Sequence, residues 1–204
     1  ASALAALERP RKHYQHYYST PAANPDMTSA PEGLAAFIRA YFHMKGAGWH
    51  ENQPQKLAGW TAEALASMPT YYVMDLQHTM PEAVAVAQAA PADAWLSDAE
   101  LAVYAGEYGR TGFQGGLNWY RCRYVPAYVQ EQAVFGGLKI QAPMAFIAGA
   151  QDWGVRQTPG ALEAMEARAS ADWRGAHLIE GAGHWVQQEQ PDAVFAAFRE
   201  AMGL

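Results

Sequence analysis

A single cysteine, Cys122, stands among the 204 residues, so no disulfide can close within the chain. That excludes the small secreted scaffolds that are stapled by several bridges, and Cys122 is expected as a small buried hydrophobe. Long apolar runs are missing too: none approaches the ~20 residues that cross a bilayer. Basic residues are outnumbered, 14 Lys and Arg against 20 Asp and Glu, for a formal charge of −6. A chain of that sign lacks the footprint for phosphate backbones or anionic lipid, so neither nucleic acid nor membrane is an expected partner. No phosphate-binding G-x-G-x-x-G follows a strand, and Gly181-Ala182-Gly183 alone is a weak signal. No metal set is complete, because His13 and His16 have no cysteine or acidic partner; they are expected as solvated surface histidines. The opening runs from apolar Ala1–Leu7 to charged Glu8 and Arg9, the reverse order of a signal peptide, and lacks an initiating Met. It reads as a piece that begins inside a longer, cytoplasmic protein.

What is present is apolar and aromatic. Half the residues are hydrophobic and 17% are charged, which excludes wholesale disorder. Seven Trp and 11 Tyr supply ring surface for a core or a lined pocket. The length suits one ordinary domain, or a two-layer unit with an insertion. Composition changes near residue 138. Before it, residues 31–44 space Leu34, Phe37, Ile38, Tyr41 and Phe42 as on a helix face, behind a proline and an acidic first turn. Short helices are expected over 61–67 and 81–89. Ser97-Asp98-Ala99-Glu100 spells a capping box for a helix that should end before Gly109. Residues 110–120 hold three glycines and read as a loop leading into a helix from about Leu117.

After residue 138 the pattern becomes alternating strand and helix. Residues 142–149 suit a fully buried strand, 159–169 a helix with Pro159 in its first turn, 177–180 a second short strand, and 191–202 an amphipathic helix ending at Gly203. That order implies parallel strands joined by a crossover, hence an α/β fold. Ligands in such a sheet bind beyond the carboxyl ends of the strands. Asp152 and His184 fall there, each among glycines that let the backbone turn sharply. An acid and a histidine at neighbouring strand ends can hydrogen-bond, which fixes the imidazole tautomer and leaves the other nitrogen as a general base. On spacing alone, a turn-capping Asp and a helix-capping His remain open.

Three stretches carry a resemblance. AFIAGAQDWG followed by GAGHWVQQEQPDAV resembles the C-terminal part of an α/β-hydrolase of the epoxide hydrolase family. Tyr14-Gln15-His16-Tyr17-Tyr18 is similar to the Tyr-Gln-x-Tyr signature that opens that family's helical cap, and 112–121 (GFQGGLNWYR) to its Gly-Phe-x-Gly-x-Leu-Asn-Trp-Tyr-Arg motif late in the cap. The resemblance implies the C-terminal part of the α/β-hydrolase fold, with a helical cap over 1–137 and the last two parallel strands with their helices over 138–204. It implies that Tyr14 and Tyr120 donate hydrogen bonds to an epoxide oxygen, with Tyr17 as the fallback for Tyr14. His184 would activate the water that hydrolyses a covalent ester, and Asp152 would orient it. Trp119, Trp153 and Trp185 would wall the pocket. The substrate is a small-molecule epoxide opened to a vicinal diol, and no cofactor is implied.

The same resemblance calls for parts that are missing: a nucleophilic Asp on a strand–helix elbow (His-x-Trp-Gly context), a His-Gly-x-Pro loop and the first six strands. His78-Thr79-Met80-Pro81 has Thr in place of Gly, and neither Asp26 nor Asp75 lies on such an elbow. The N-terminal half of the fold, on the same or a separate chain, is therefore an expected partner. Dehalogenase or ester hydrolase chemistry, and a non-catalytic binding remnant, are the alternatives.

Overall fold

Two helices begin where a hydroxyl residue and a glutamate three places on hold each other's amides. The computed structural model describes residues 1–88 and 94–204, and the last residue of the helix expected over 81–89 lies outside them. The backbone divides into two compact units, Ala1–Met44 with Thr61–Val134, and Lys45–Trp60 with Phe135–Leu204. Segment 45–60, inside the expected cap region, thus folds with the second unit.

In the first unit the elements are α1 (Ser2–Ala5), β1 (Arg11–His13), α2 (Tyr14–Tyr18), α3 (Ala23–Thr28), α4 (Leu34–Lys45), α5 (Ala62–Leu65), β2 (Val73–Asp75), α6 (Met80–Val84), α7 (Asp98–Thr111), α8 (Gln114–Arg121) and α9 (Pro126–Ala133). Full capping boxes open α6 (Thr79 with Glu82) and α7 (Ser97 with Glu100). A short antiparallel ladder, Arg11 opposite Asp75 and His13 opposite Val73, was not anticipated. Three-residue strands carry too little alternation to be read, and this one is held by side chains. Arg9 makes two 2.6 Å bonds to Asp75, and the buried Arg11 guanidinium donates to the Val73 carbonyl. Tyr71, Tyr72, Phe37, Ile38, Met74 and Met80 are fully buried in the core.

Several boundaries move from their expected places. The α4 helix starts at Leu34 because Gly33 sits at φ 89°, so Pro31 and Glu32 precede it. The α7 helix runs through Gly109: a glycine inside a helix costs about 1 kcal/mol but does not end it. It stops at Gly112, where φ is 64°. A Cβ on Gly112 would press on Asn24 Oδ1, which also accepts the Phe113 N–H at 2.8 Å. The expected 110–120 loop therefore shrinks to a tight turn, and α8 begins at Gln114. The α9 helix was not expected. Cys122 is half-exposed rather than buried, its thiol donating to the Asn118 carbonyl. His13 is half-buried rather than solvated: Nδ1 caps α2 by accepting the Gln15 N–H at 3.3 Å.

In the second unit β3 (Ile140–Gly149), α10 (Ala161–Arg168), β4 (Ser170–Ile179), α11 (Val186–Glu189) and α12 (Pro191–Met202) follow in order. The two strands pair in parallel, with Ile147 opposite His177 and Gly149 opposite Ile179. The α10 helix packs on β4, and α12 on both strands. Gly160 at φ 75° starts α10 just after Pro159, and Gly203 at φ 69° ends α12. The β4 strand begins seven residues before the expected His177; its polar first half, SADWRGA, hides the strand pattern. The β3 strand is exposed at its start and half-buried along its middle, not fully buried. A two-stranded sheet has too few neighbours to cover both of its faces.

Candidate active site

In the first unit four phenols converge. Tyr14 stands at the start of α2, directly after the β1–β2 ladder, and its N–H is bound to the Tyr72 carbonyl at 2.8 Å. Tyr120 sits on α8, whose entry is fixed by the Asn24 bond to Phe113. The two rings meet edge to face with centroids 5.8 Å apart. Tyr18, one helical turn after Tyr14, contacts both, at 5.4 and 5.0 Å, and donates its hydroxyl to that of Tyr41 at 3.1 Å. Burial raises the pKa of Tyr18, Tyr41 and Tyr120 well above the ordinary phenol value, so these hydroxyls stay protonated at neutral pH. Gln15 donates to the Tyr14 hydroxyl at 3.2 Å and is itself held by Arg123 at 3.0 Å.

Tyr17 is placed differently. Its hydroxyl donates to Asp26 at 2.8 Å, and Lys12 lies over its ring. A surface cleft beside it is lined by Lys12, Asp26 and His78 and does not include Tyr14 or Tyr120. Trp119 is 74% exposed on α8.

In the second unit the carboxyl ends of β3 and β4 bring Asp152 and His184 together. Backbone crowding dictates glycine here: a Cβ on Gly149 would overlap the Ala182 and Gly183 carbonyls, and one on Gly183 would overlap the Lys45 carbonyl. His184 Nδ1 lies 3.0 Å from Asp152 Oδ2, while Asp152 Oδ1 accepts the Gly154 N–H at 2.7 Å. In the neutral imidazole, a carboxylate acceptor favours the tautomer with the proton on Nδ1, which leaves the lone pair on Nε2. Burial alone would favour the neutral acid. The hydrogen bond and charge of His184, the Gly154 N–H and the charge of Lys45 outweigh it and hold Asp152 at about 2. Burial draws the Lys45 ammonium down to about 8, opposed by Asp152. The His184 side chain is 39% exposed, against 12% for Asp152, so the imidazole meets solvent while the carboxylate is largely buried.

Trp185 packs edge-on against the His184 ring at 5.0 Å. Trp153 is buried, its indole N–H donating to the Glu51 carbonyl at 2.8 Å, which ties segment 45–60 to the strand end. Among the described residues no group of three His, Cys, Asp or Glu could hold a metal ion, and no helix is long and apolar enough to cross a membrane. Sequence reasoning missed Tyr18 and Tyr41 beside the first unit's phenols and Lys45 beside Asp152 in the second. Tyr18 was findable, since i and i+4 share a helix face; the other two come near through tertiary contacts.

No family model matches the chain. Among curated proteins it is 44% identical to epoxide hydrolase A of Mycobacterium tuberculosis over 109 residues, 52% of this chain and 32% of that protein. An epoxide hydrolase of Caballeronia sordidicola is 36% identical over 99 residues, covering 48% of this chain and 29% of its own. Among solved structures, an epoxide hydrolase from an endophytic Streptomyces superposes with a TM-score of 0.72 at 24% identity, over 99% of this chain and 55% of that one. Epoxide hydrolase A from Mycobacterium thermoresistibile gives 0.68 at 28% identity, over 95% and 52%. The matches span about a third of the curated relatives and about half of the solved chains. Over about half its length the chain is similar in sequence to epoxide hydrolases, and its architecture is that of the C-terminal part of their α/β-hydrolase fold.

Proposed function

We propose that the chain supplies the cap donors and the base of an epoxide hydrolase whose nucleophilic Asp lies in an N-terminal half of the same fold. The observation that carries the reading is the 3.0 Å Asp152–His184 pair at the ends of two parallel strands. In the first step a carboxylate oxygen of the nucleophile attacks an epoxide carbon. A C–O ester bond forms, the ring C–O bond breaks, and the oxygen left behind takes a proton from Tyr14 or Tyr120. Hydrogen-bond donors preorganised at the atom where charge develops lower that barrier, and phenols remain protonated to do it. In the second step His184 Nε2 removes a proton from water, and the resulting hydroxide attacks the ester carbonyl. The adduct collapses to expel the diol oxygen, which takes the imidazolium proton. The remaining water proton returns to the phenolate, restoring the carboxylate, the neutral imidazole and the phenol. Asp152 holds the ring and stabilises the imidazolium that forms. The edge contact of Tyr14 with Tyr120 supports their pairing as donors, whereas the Tyr17 hydroxyl is committed to Asp26. Trp185, beside His184, is the tryptophan best supported as a pocket wall. The reading carries a cytoplasmic location, where a lone thiol such as Cys122 stays reduced.

The test sets three substrates side by side in the full-length protein: an aryl epoxide, a chloroalkane and an activated ester. Diol formation as the fastest reaction is expected. Halide release or ester cleavage without diol would replace the epoxide with the corresponding alternative.

A further inference from the structure

Glu189 makes a set of contacts that capping of its own helix does not require. It closes the one-turn α11, and its Oε1 reaches back to accept the Trp185 N–H at 3.1 Å, as a local cap would. The same oxygen also accepts the Gly183 N–H at 3.0 Å. Its Oε2 accepts the Ala47 N–H at 2.6 Å, from a residue 142 positions away. The amide between the two held by Oε1, that of His184, donates to the Lys45 carbonyl at 2.9 Å. Three successive amides, 183 to 185, are therefore bound, and each bond runs either to Glu189 or to the 45–47 segment that Glu189 also holds. No Cβ fits at Gly183, so the two backbones touch directly.

We propose that Glu189 is the positioning residue for His184, fixing the backbone from which the imidazole projects while Asp152 fixes the far side of the ring. This rests on the reading of His184 as the hydrolytic base. An imidazole oriented only by Asp152 can swing with its Cα. A carboxylate that locks the Cα against a second strap of chain removes that freedom, and displacements near 1 Å cost about 10²-fold in rate where geometry sets the reaction. Glutamine is the informative replacement. Its single carbonyl oxygen keeps either the Gly183–Trp185 pair or the Ala47 bond, and its NH2 then faces a backbone N–H.

The experiment uses the full-length protein with Glu189→Gln and Glu189→Asp, the latter too short to span all three amides. Single-turnover kinetics with an aryl epoxide separate ester formation from ester hydrolysis. Hydrogen exchange reads the amides of 47, 183 and 185, and NMR reads the His184 Nδ1–H resonance. Glu189→Gln should leave ester formation unchanged, slow hydrolysis about 10-fold or more, speed exchange at those amides and broaden the Nδ1–H signal. Native hydrolysis, equal slowing of both steps, or an unchanged Nδ1–H signal would each overturn the proposal. Failure of both variants to fold would do so too, assigning Glu189 to stability. If no covalent ester forms even in the wild type, the hydrolase reading fails, while the exchange and NMR arms still judge Glu189.

Discussion

His184 Nδ1 and Asp152 Oδ2 are 3.0 Å apart, and the carboxylate's other oxygen is held by the Gly154 N–H at 2.7 Å. Each carboxylate oxygen thus has its own hydrogen-bond partner, which holds the acid against rotation away from the imidazole.

That pairing has a pH signature. Asp152 is held at about 2 in the folded chain, against about 3.9 when unfolded. A depressed acid stabilises the fold above the unfolded value, and the contribution drains away as pH falls from about 4 to about 2. It should amount to on the order of 2 kcal/mol. Denaturant titrations of wild type and Asp152→Asn at pH 6 and pH 3 in the full-length protein check this. Their stability difference should narrow at the lower pH; a constant difference would contradict it.

The tyrosines should separate by role. Changing Tyr14 or Tyr120 to Phe should slow ester formation about 10²–10³-fold, the usual worth of a donor aimed at developing charge. Tyr17→Phe, which loses the Asp26 bond, should instead cost roughly 1 kcal/mol of stability with ester formation preserved. Stopped-flow quenching of protein fluorescence and thermal melts measure the two effects.

Glycines should divide by their surroundings. Gly183→Ala drives a Cβ into the Lys45–Ala47 backbone and should destabilise by roughly 3 kcal/mol. Gly106→Ala, inside α7 with open space around it, should gain about 0.5–1 kcal/mol. Calorimetry on both variants gives the comparison.

Elements defined by local chemistry were legible in the sequence. The Ser97–Glu100 box and the Pro191 to Gly203 helix formed where their signals stood. The meeting of Asp152 with His184 was legible because both stand at glycine-rich ends of neighbouring parallel strands. What stayed hidden depends on contacts far apart in sequence. The Arg11–Asp75 ladder closes across more than sixty residues and has no periodicity of its own. Segment 45–60 shows no composition shift; its place is set by Trp153 and Glu189 reaching its backbone. Gly109 looked like a stop because it is glycine, but left-handed φ at Gly112 is what ends the helix.

The 204-residue chain by itself should make no diol over repeated turnovers. Its Asp26 and Asp75 are engaged by Tyr17 and by Arg9 with Arg11, and neither stands on a nucleophile's elbow. Apolar Phe135, Leu138, Ile140, Phe195 and Phe198 are exposed in the second unit, so the isolated chain should also aggregate. Product assays and sedimentation read both; sustained turnover by a monodisperse monomer would contradict the account.

The most direct test is the mass of the intact full-length His184→Gln protein after exposure to an aryl epoxide. Without the Nε2 base, water cannot be activated, so the ester should form and persist as one equivalent of bound substrate. The wild type should return to its unmodified mass. Normal turnover by the variant, or no adduct in it while Tyr120→Phe accumulates one, would contradict the roles assigned to His184 and the tyrosines.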